Sequence, residues 1–215
     1  MRFLVIRTQG GAGKGYAAQH SQSLEAWFCH IPGLKVVMPS TPRDARGLLK
    51  SAIRDNNPVI FIEHKSLYNE KGEVPEQEEL IPIGKADIKR SGRDITITAH
   101  SKQVLNALEA AEILFKEKGI DCEVVDLMTI SPLDEETILN SVRKTGRLVT
   151  VEEGYENHGI GAEIVSRTVA KIFDYLDAEP VRIAFPNCPV PFCGILENAI
   201  LPNTKRIMDA VLSMM

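Results

Sequence analysis

Residues Gly10-Gly11-Ala12-Gly13-Lys14-Gly15-Tyr16-Ala17-Ala18-Gln19-His20-Ser21 set a glycine-rich turn directly before a histidine at the expected mouth of a helix. Backbone N–H groups at such a turn can receive a phosphate. An imidazole there can move protons near neutral pH. Gly13-Lys14 also invites comparison with the phosphate loop of nucleotide hydrolases. That motif requires a glycine where Thr8 stands and a Ser or Thr where Gly15 stands, so both key positions fail. A purely structural turn and a catalytic or phosphate-adjacent loop remain open from the residues alone.

Other polar residues point less directly to chemistry. Glu152-Glu153-Gly154 falls at the C-terminal end of an expected strand, where open parallel sheets place functional loops, although a solvated strand-to-helix turn fits equally well. His158 has no metal-ligand partner at helical spacing and is expected in a loop. Asp126 and Asp134 do not form an acid/base pair, and Asp134 suits a helix N-terminus. Cys29, Cys122, Cys188 and Cys193 form no CxxC pair and have no zinc-type histidine spacing, which argues against a metal cluster or a disulfide framework and fits a reducing cytoplasm.

The 215 residues are 44% apolar and 25% charged, the composition of a globular chain with a substantial core. A formal charge of -4 with no long basic run disfavours nucleic acid as a partner. No apolar run approaches the roughly 20 residues that span a bilayer, and Met1 to Thr8 lacks a signal peptide's apolar core, so no membrane association is expected.

The elements that must position these residues alternate. Phe3 to Ile6 is expected as a buried strand running into the glycines, and its place near residue 1 suggests a first unit lacking its N-terminal part. A helix over Ser21 to His30 follows, then a strand over Leu34 to Met38. Thr41 is expected to cap a helix from Pro42 to Asp55, ahead of a strand over Val59 to Ile62. Glu63 to Lys85 has no hydrophobic period and is expected as a linker between two domains, 1–86 and 87–215. Beyond it come strands Ile95 to Ala99, Cys122 to Asp126, Leu148 to Glu152 and Val181 to Ala184. Helices Lys102 to Lys118, Asp134 to Thr145, Gly161 to Phe173 and Thr204 to Leu212 alternate with them, predicting an α/β fold with parallel sheets covered on both faces.

The run RTQGGAGKGYAAQHSQSLEAWFCHIPGLKVVMPSTPRDARGLLKSAIRDNNPVIFIEHKSLY resembles part of the pyrimidine-binding domain in the beta subunit of the thiamine-dependent first component of 2-oxo acid dehydrogenase complexes. That family covers pyruvate, branched-chain 2-oxo acid and acetoin dehydrogenases. SPLDEETILNSVRKTGRLVTVEEG and PVPFCGILENAILPN extend the resemblance through the second unit. It implies a truncated pyrimidine-binding-type domain followed by a transketolase C-terminal-like domain. It also implies that His20 faces thiamine diphosphate and assists proton transfer and acyl handover to a lipoyl arm. A potassium ion is implied at Leu4, Ala52, Ile53, Asp55 and Asn57, at the carbonyl-rich end of the Pro42 to Asp55 helix.

The same resemblance places the cofactor-activating glutamate upstream of the histidine, on a part of the domain that this sequence does not contain. Glu25, five residues after His20 and expected on the same helix, cannot replace it. Diphosphate and magnesium are implied to bind the partner alpha subunit. A second beta subunit and the lipoyl-bearing acyltransferase are the other implied partners, for which the Pro186 to Pro191 segment with Phe192 and Cys193 suits subunit contact. The loop EHKSLYNEKGEVPE leans towards pyruvate or acetoin. A non-catalytic assembly module is the alternative that the missing glutamate suggests.

Overall fold

The computed structural model describes residues 4–215. Its first sheet contains β1 (Val5–Gly10), β2 (Lys35–Val37), β3 (Val59–His64) and β7 (Thr129–Ser131), in the order β1-β3-β2-β7. The second contains β4 (Asp87–Arg90), β5 (Ile95–Ala99), β6 (Cys122–Asp126), β8 (Leu148–Tyr155) and β9 (Val181–Phe185), in the order β4-β6-β5-β8-β9. β3 is buried along its whole length, as its continuous apolar run requires of a central parallel strand.

The α/β fold with parallel sheets is present, and each sheet gains one antiparallel edge strand that the sequence did not suggest. β7 pairs antiparallel with β2, and β4 pairs antiparallel with β6, each at an edge. Neither strand carries a hydrophobic run: β7 is three residues long, and β4 reads DIKR, a charged edge of the kind that discourages further pairing. The segment expected as a linker also begins later than the sequence suggested. Glu63 and His64 complete buried β3, and Lys65–Asn69 form a 3-10 turn.

The helices are α1 (Ala17–His20), α2 (Glu25–Cys29), α3 (Pro42–Ile53), α4 (Lys102–Lys118), α5 (Glu135–Thr145), α6 (Ile160–Ile172), α7 (Gly194–Ile200) and α8 (Thr204–Ser213). Thr41 caps α3 as expected, accepting from the Asp44 N–H at 3.2 Å. Of the helix expected from Ser21 to His30, only Glu25–Cys29 is helical, and the separate short helix α1 precedes it. Between them the Gln22 carbonyl accepts from the Gly11 N–H at 3.3 Å, so a tertiary bond to the glycine loop takes the place of helical continuation.

The apolar core crosses from one sheet to the other. Val36, Met38, Ile60 and Ile62 of the first sheet pack with Leu127, Ile130, Ile138, Val142, Leu148, Ile160 and Ile164 from the second half. A polar bridge joins the same halves at Asp126, whose carboxylate accepts from Ser40 Oγ and from the Met128 N–H at 3.0 Å. Lys89 Nζ lies 3.0 Å from Asp44 and 3.8 Å from Asp126. Burial pushes the Asp126 carboxyl up to about 7, with Asp44 adding to the rise and Ser40 and Lys89 opposing it.

That shift sets a pH dependence. The folded chain keeps a proton on Asp126 that the unfolded chain releases from its ordinary value of 3.8 upward, so stability falls as pH rises from there to about 7. Relative to Asp126→Asn, the wild type should lose on the order of 1 kcal/mol per pH unit across this window. Urea unfolding of both proteins at a series of pH values checks it, and parallel curves would refute it.

Candidate active site

β1 and β3 run in parallel with Gly10 opposite His64, so the glycine loop leaves the sheet beside the last residues of the central strand. Gly11 has φ +87°, and a Cβ there would stand 2.2 Å from the His64 ring, so only glycine lets the loop pass over the imidazole. The loop then turns into α1. His20 ends α1 rather than opening a longer helix, which corrects the expected helix-mouth position. Its side chain is exposed.

An open cleft of about 570 Å³ lies on this side, lined by Gln9, Lys14, Tyr16, His20, Lys65 and Tyr68, with Gln19, Gln22 and Leu24. The Lys65 ammonium donates to the His20 carbonyl and stands 5.5 Å from the centre of the Tyr16 ring. Burial lowers the Lys65 pKa, while the fields of Glu153 and Glu197 oppose that shift. At the far wall the Tyr68 hydroxyl donates to Glu63 at 2.9 Å, and Glu63 also pairs with Arg7 at 2.7 Å. An accessible imidazole and an ammonium therefore share one polar cleft, an arrangement that can exchange a proton with a bound oxygen and favour an anion.

Beneath the cleft the polar groups are buried. Glu153 accepts from the Ala12 N–H at 3.0 Å, from His64 Nε2 at 2.9 Å and from Gln103 Nε2 at 2.7 Å. His64 Nδ1 accepts from the Ser66 N–H at 3.1 Å, so Nε2 carries the proton directed at Glu153. Burial alone would raise the Glu153 carboxyl, but His64 and the N–H donors bring it below the usual range. Glu152 points the other way and accepts from the Ile160 and Gly161 N–H groups at 2.8 and 2.7 Å, at the start of α6. Desolvation still holds Glu152 above its ordinary value. A solvated turn at this glutamate pair is thus excluded, because both side chains are buried.

Glu25 needs a similar correction. It belongs to α2, not to the helix of His20, and is buried with its carboxylate 3.4 Å from His100 Nε2. Burial pulls the His100 pKa down, but Glu25, with the fields of Glu152 and Asp126, more than compensates and leaves it raised. His158 lies in an exposed loop, as expected.

The residues singled out for a cation lie at the end of α3, at the start of β3 and on the chain beside it. The Leu4 carbonyl accepts from the Val59 N–H at 2.9 Å, and the Ala52 carbonyl accepts from the Asp55 N–H at 3.2 Å and from the Arg54 N–H at the helix end. The Asp55 carboxylate is already engaged by Lys35 Nζ at 2.5 Å and by Asn57 at 2.8 and 3.0 Å. A monovalent ion there would therefore rest on carbonyl oxygens. The hydrocarbon side chain of Ile53 has no donor atom, so its carbonyl is the group it could offer. Among the described residues no group of three His, Cys, Asp or Glu side chains is placed to hold a metal ion.

His64, Gln103 and Glu197 were not singled out from the sequence, whereas Glu153 was noted only as part of the Glu152-Glu153-Gly154 strand end. The available signal was the charged pairs Glu63-His64 and Glu152-Glu153 ending apolar strands.

Comparison with known proteins adds ancestry to this geometry. The profile described as transketolase, C-terminal domain, matches residues 84–207, and that described as transketolase, pyrimidine binding domain, matches residues 1–71. The chain is 50% identical over 209 residues to the pyruvate dehydrogenase E1 component subunit beta of Rhizobium meliloti (strain 1021), covering 97% of this chain and 45% of that protein. It is 50% identical over 213 residues to the mitochondrial pyruvate dehydrogenase E1 component subunit beta of Bos taurus, covering 97% and 59%. Identity is also 50% over 212 residues to the acetoin:2,6-dichlorophenolindophenol oxidoreductase subunit beta of Bacillus subtilis (strain 168), covering 99% and 62%. The chain thus spans about half the length of the curated relatives it matches. A solved split-gene transketolase, an inactive beta4 tetramer, superposes with a TM-score of 0.79 at 24% identity, covering 98% of this chain and 65% of that one, a likeness of fold.

The buried hydrogen bond between His64 and Glu153 predicts its own energetics. His64→Ala leaves the buried Glu153 carboxylate without its imidazole donor and should cost about 2 kcal/mol of stability. Urea unfolding near neutral pH measures it, and a loss below about 0.5 kcal/mol would show that the pair is dispensable.

Proposed function

We infer the function of this chain from the family to which it belongs, the transketolase family, in which a pyrimidine-binding unit is followed by a transketolase C-terminal domain. The chain is proposed to act as the beta subunit, or part of one, of a thiamine-dependent dehydrogenase component. That component would oxidatively decarboxylate a 2-oxo acid such as pyruvate, or cleave acetoin, and pass the acyl group to lipoamide. Relatives named as pyruvate dehydrogenase and acetoin dehydrogenase beta subunits support the reading at 50% identity. The observation that carries it is His20, exposed on a polar cleft at the end of the glycine loop.

Thiamine diphosphate, held between this chain and an alpha subunit, would supply the electron sink for decarboxylation. His20 would hold or release a proton at its ring nitrogen beside the reacting oxygen. Lys65 would favour a carboxylate in the same cleft, which suits a 2-oxo acid. The alpha subunit would bring the magnesium-bound diphosphate. Phe192 and Ile195, 77% and 81% exposed beside the loop, support a protein partner on this side. A second beta subunit and a lipoyl-bearing acyltransferase complete the proposed assembly.

The boundary between the two units is proposed at residues 86 and 87, just ahead of β4. Four free cysteines support a reducing, cytoplasmic setting, and no described helix is long and apolar enough to cross a membrane. Potassium is proposed at the carbonyls of Leu4, Ala52, Ile53, Asp55 and Asn57, with the Asp55 side chain steadied by Lys35. On this proposal the thermal midpoint should be higher in potassium chloride than in equal sodium chloride, and equal midpoints would remove the ion.

Mixing the chain with a matching alpha subunit and thiamine diphosphate, then following decarboxylation with an artificial electron acceptor, tests the enzyme reading. His20→Ala should lower turnover by at least about 100-fold while still binding the alpha subunit. Unchanged turnover would overturn the role of His20. Firm assembly of the wild type without any turnover would favour an assembly module.

A further inference from the structure

The geometry points to Glu197 as a positioning residue that holds the glycine loop, and through it His20, in place from the far end of the chain. This rests on the reading of His20 given above. The Glu197 side chain is buried, and its two carboxylate oxygens each accept one loop N–H, from Gly13 at 2.8 Å and from Gly15 at 3.0 Å. Both glycines have positive φ, +85° and +70°, and their two amides, with Lys14 between them, point to the same carboxylate. One residue earlier, the Ala12 N–H is taken by Glu153. Three amides within four residues are therefore bonded to two carboxylates from the second half of the chain.

Charge-assisted bonds of this kind are about twice as strong as neutral ones. The segment is otherwise held at its two ends, by Ala12 packed against Phe185 and Val190 and by the His20 carbonyl that accepts from Lys65. Its glycines supply no side chains to pack, and α1 is a single turn without a buried residue. Without Glu197, the segment from Gly13 to His20 would keep the ring but lose the constraint on where it stands. Misplacement by about 1 Å is enough to cost up to a hundredfold in rate.

Glu197→Ala removes both acceptors, while Glu197→Gln keeps the shape and leaves one of them. Amide exchange by NMR on the intact chain should show the Gly13 and Gly15 amides losing protection by about tenfold or more in Glu197→Ala. Glu197→Gln should affect one of the two, with Ala12, β5 and β8 unchanged in both variants. The His20 ring resonances should shift and broaden in Glu197→Ala, whereas those of His158 should not. With the alpha subunit, kcat should fall by about tenfold to a hundredfold in Glu197→Ala with KM for the 2-oxo acid unchanged, and less in Glu197→Gln. Glu197→Ala combined with His20→Ala should be no slower than His20→Ala alone.

Unaltered exchange at Gly13 and Gly15 would overturn the clamp. Loosened exchange with unmoved His20 resonances, or a further loss in the double variant, would overturn positioning through His20. Full turnover in His20→Ala would instead sink the reading of His20, and the positioning role with it, while the exchange data would still judge the clamp.

Discussion

The arrangement around the cleft depends on a buried carboxylate, Glu153, whose position is set by the end of a central strand of one sheet and whose partners belong mostly to the other. It joins the Ala12 amide of the loop, the His64 ring of β3 and the Gln103 amide of α4. An unpaired carboxylate at this depth would be strongly unfavourable. Its bonds can all be made only when the two sheets are docked and the glycine loop lies across His64. Folding of the halves and formation of the loop are thus one requirement.

Neighbouring residues on a strand point to opposite faces, and the Glu152-Glu153 pair uses this. Glu153 faces the loop, while Glu152 faces the start of α6 and accepts two of its free N–H groups. The close approach is possible because residue 161 is glycine, where a Cβ would lie 2.9 Å from Glu152 Oε1. The two carboxyls shift in opposite directions because their donors differ: Glu153 has a histidine and two amide-bearing partners, whereas Glu152 has backbone amides and the nearby charge of Glu25. The C-terminal edge of β8 thereby anchors a helix on one side and the proposed catalytic loop on the other.

Hydrophobic periodicity shows most of the fold, because β3, β5, β6, β8 and the helices α3 to α6 are held by apolar faces. It is blind where the polar pattern controls the structure. α7 buries its acid and exposes Ile195 and Leu196, the reverse of an ordinary amphipathic helix, so Glu197 carried no signal of burial. β7 is too short to show a period, and its pairing with β2 depends on residues almost a hundred positions away. The break after His20 is also tertiary, since the Gln22 carbonyl is bonded to Gly11. The glycine loop and His20 were legible from residue type and order, whereas the carboxylates beneath them depend on which faces become covered.

A proton-transferring side chain must meet solvent or substrate, yet its backbone must not wander. An exposed ring on a glycine-rich segment satisfies the first demand and endangers the second, because glycine has the most conformational freedom to lose. The structure separates the two demands by depth. His20 and Lys65 occupy the open cleft, while the amides of residues 12, 13 and 15 are fixed to buried carboxylates below. Hydrophobic packing reaches this loop only at Ala12, whereas N–H groups bonded to carboxylates can also fix its glycines. The second half of the chain therefore contributes to the proposed site by fixing its backbone, although it supplies none of the side chains that line the cleft.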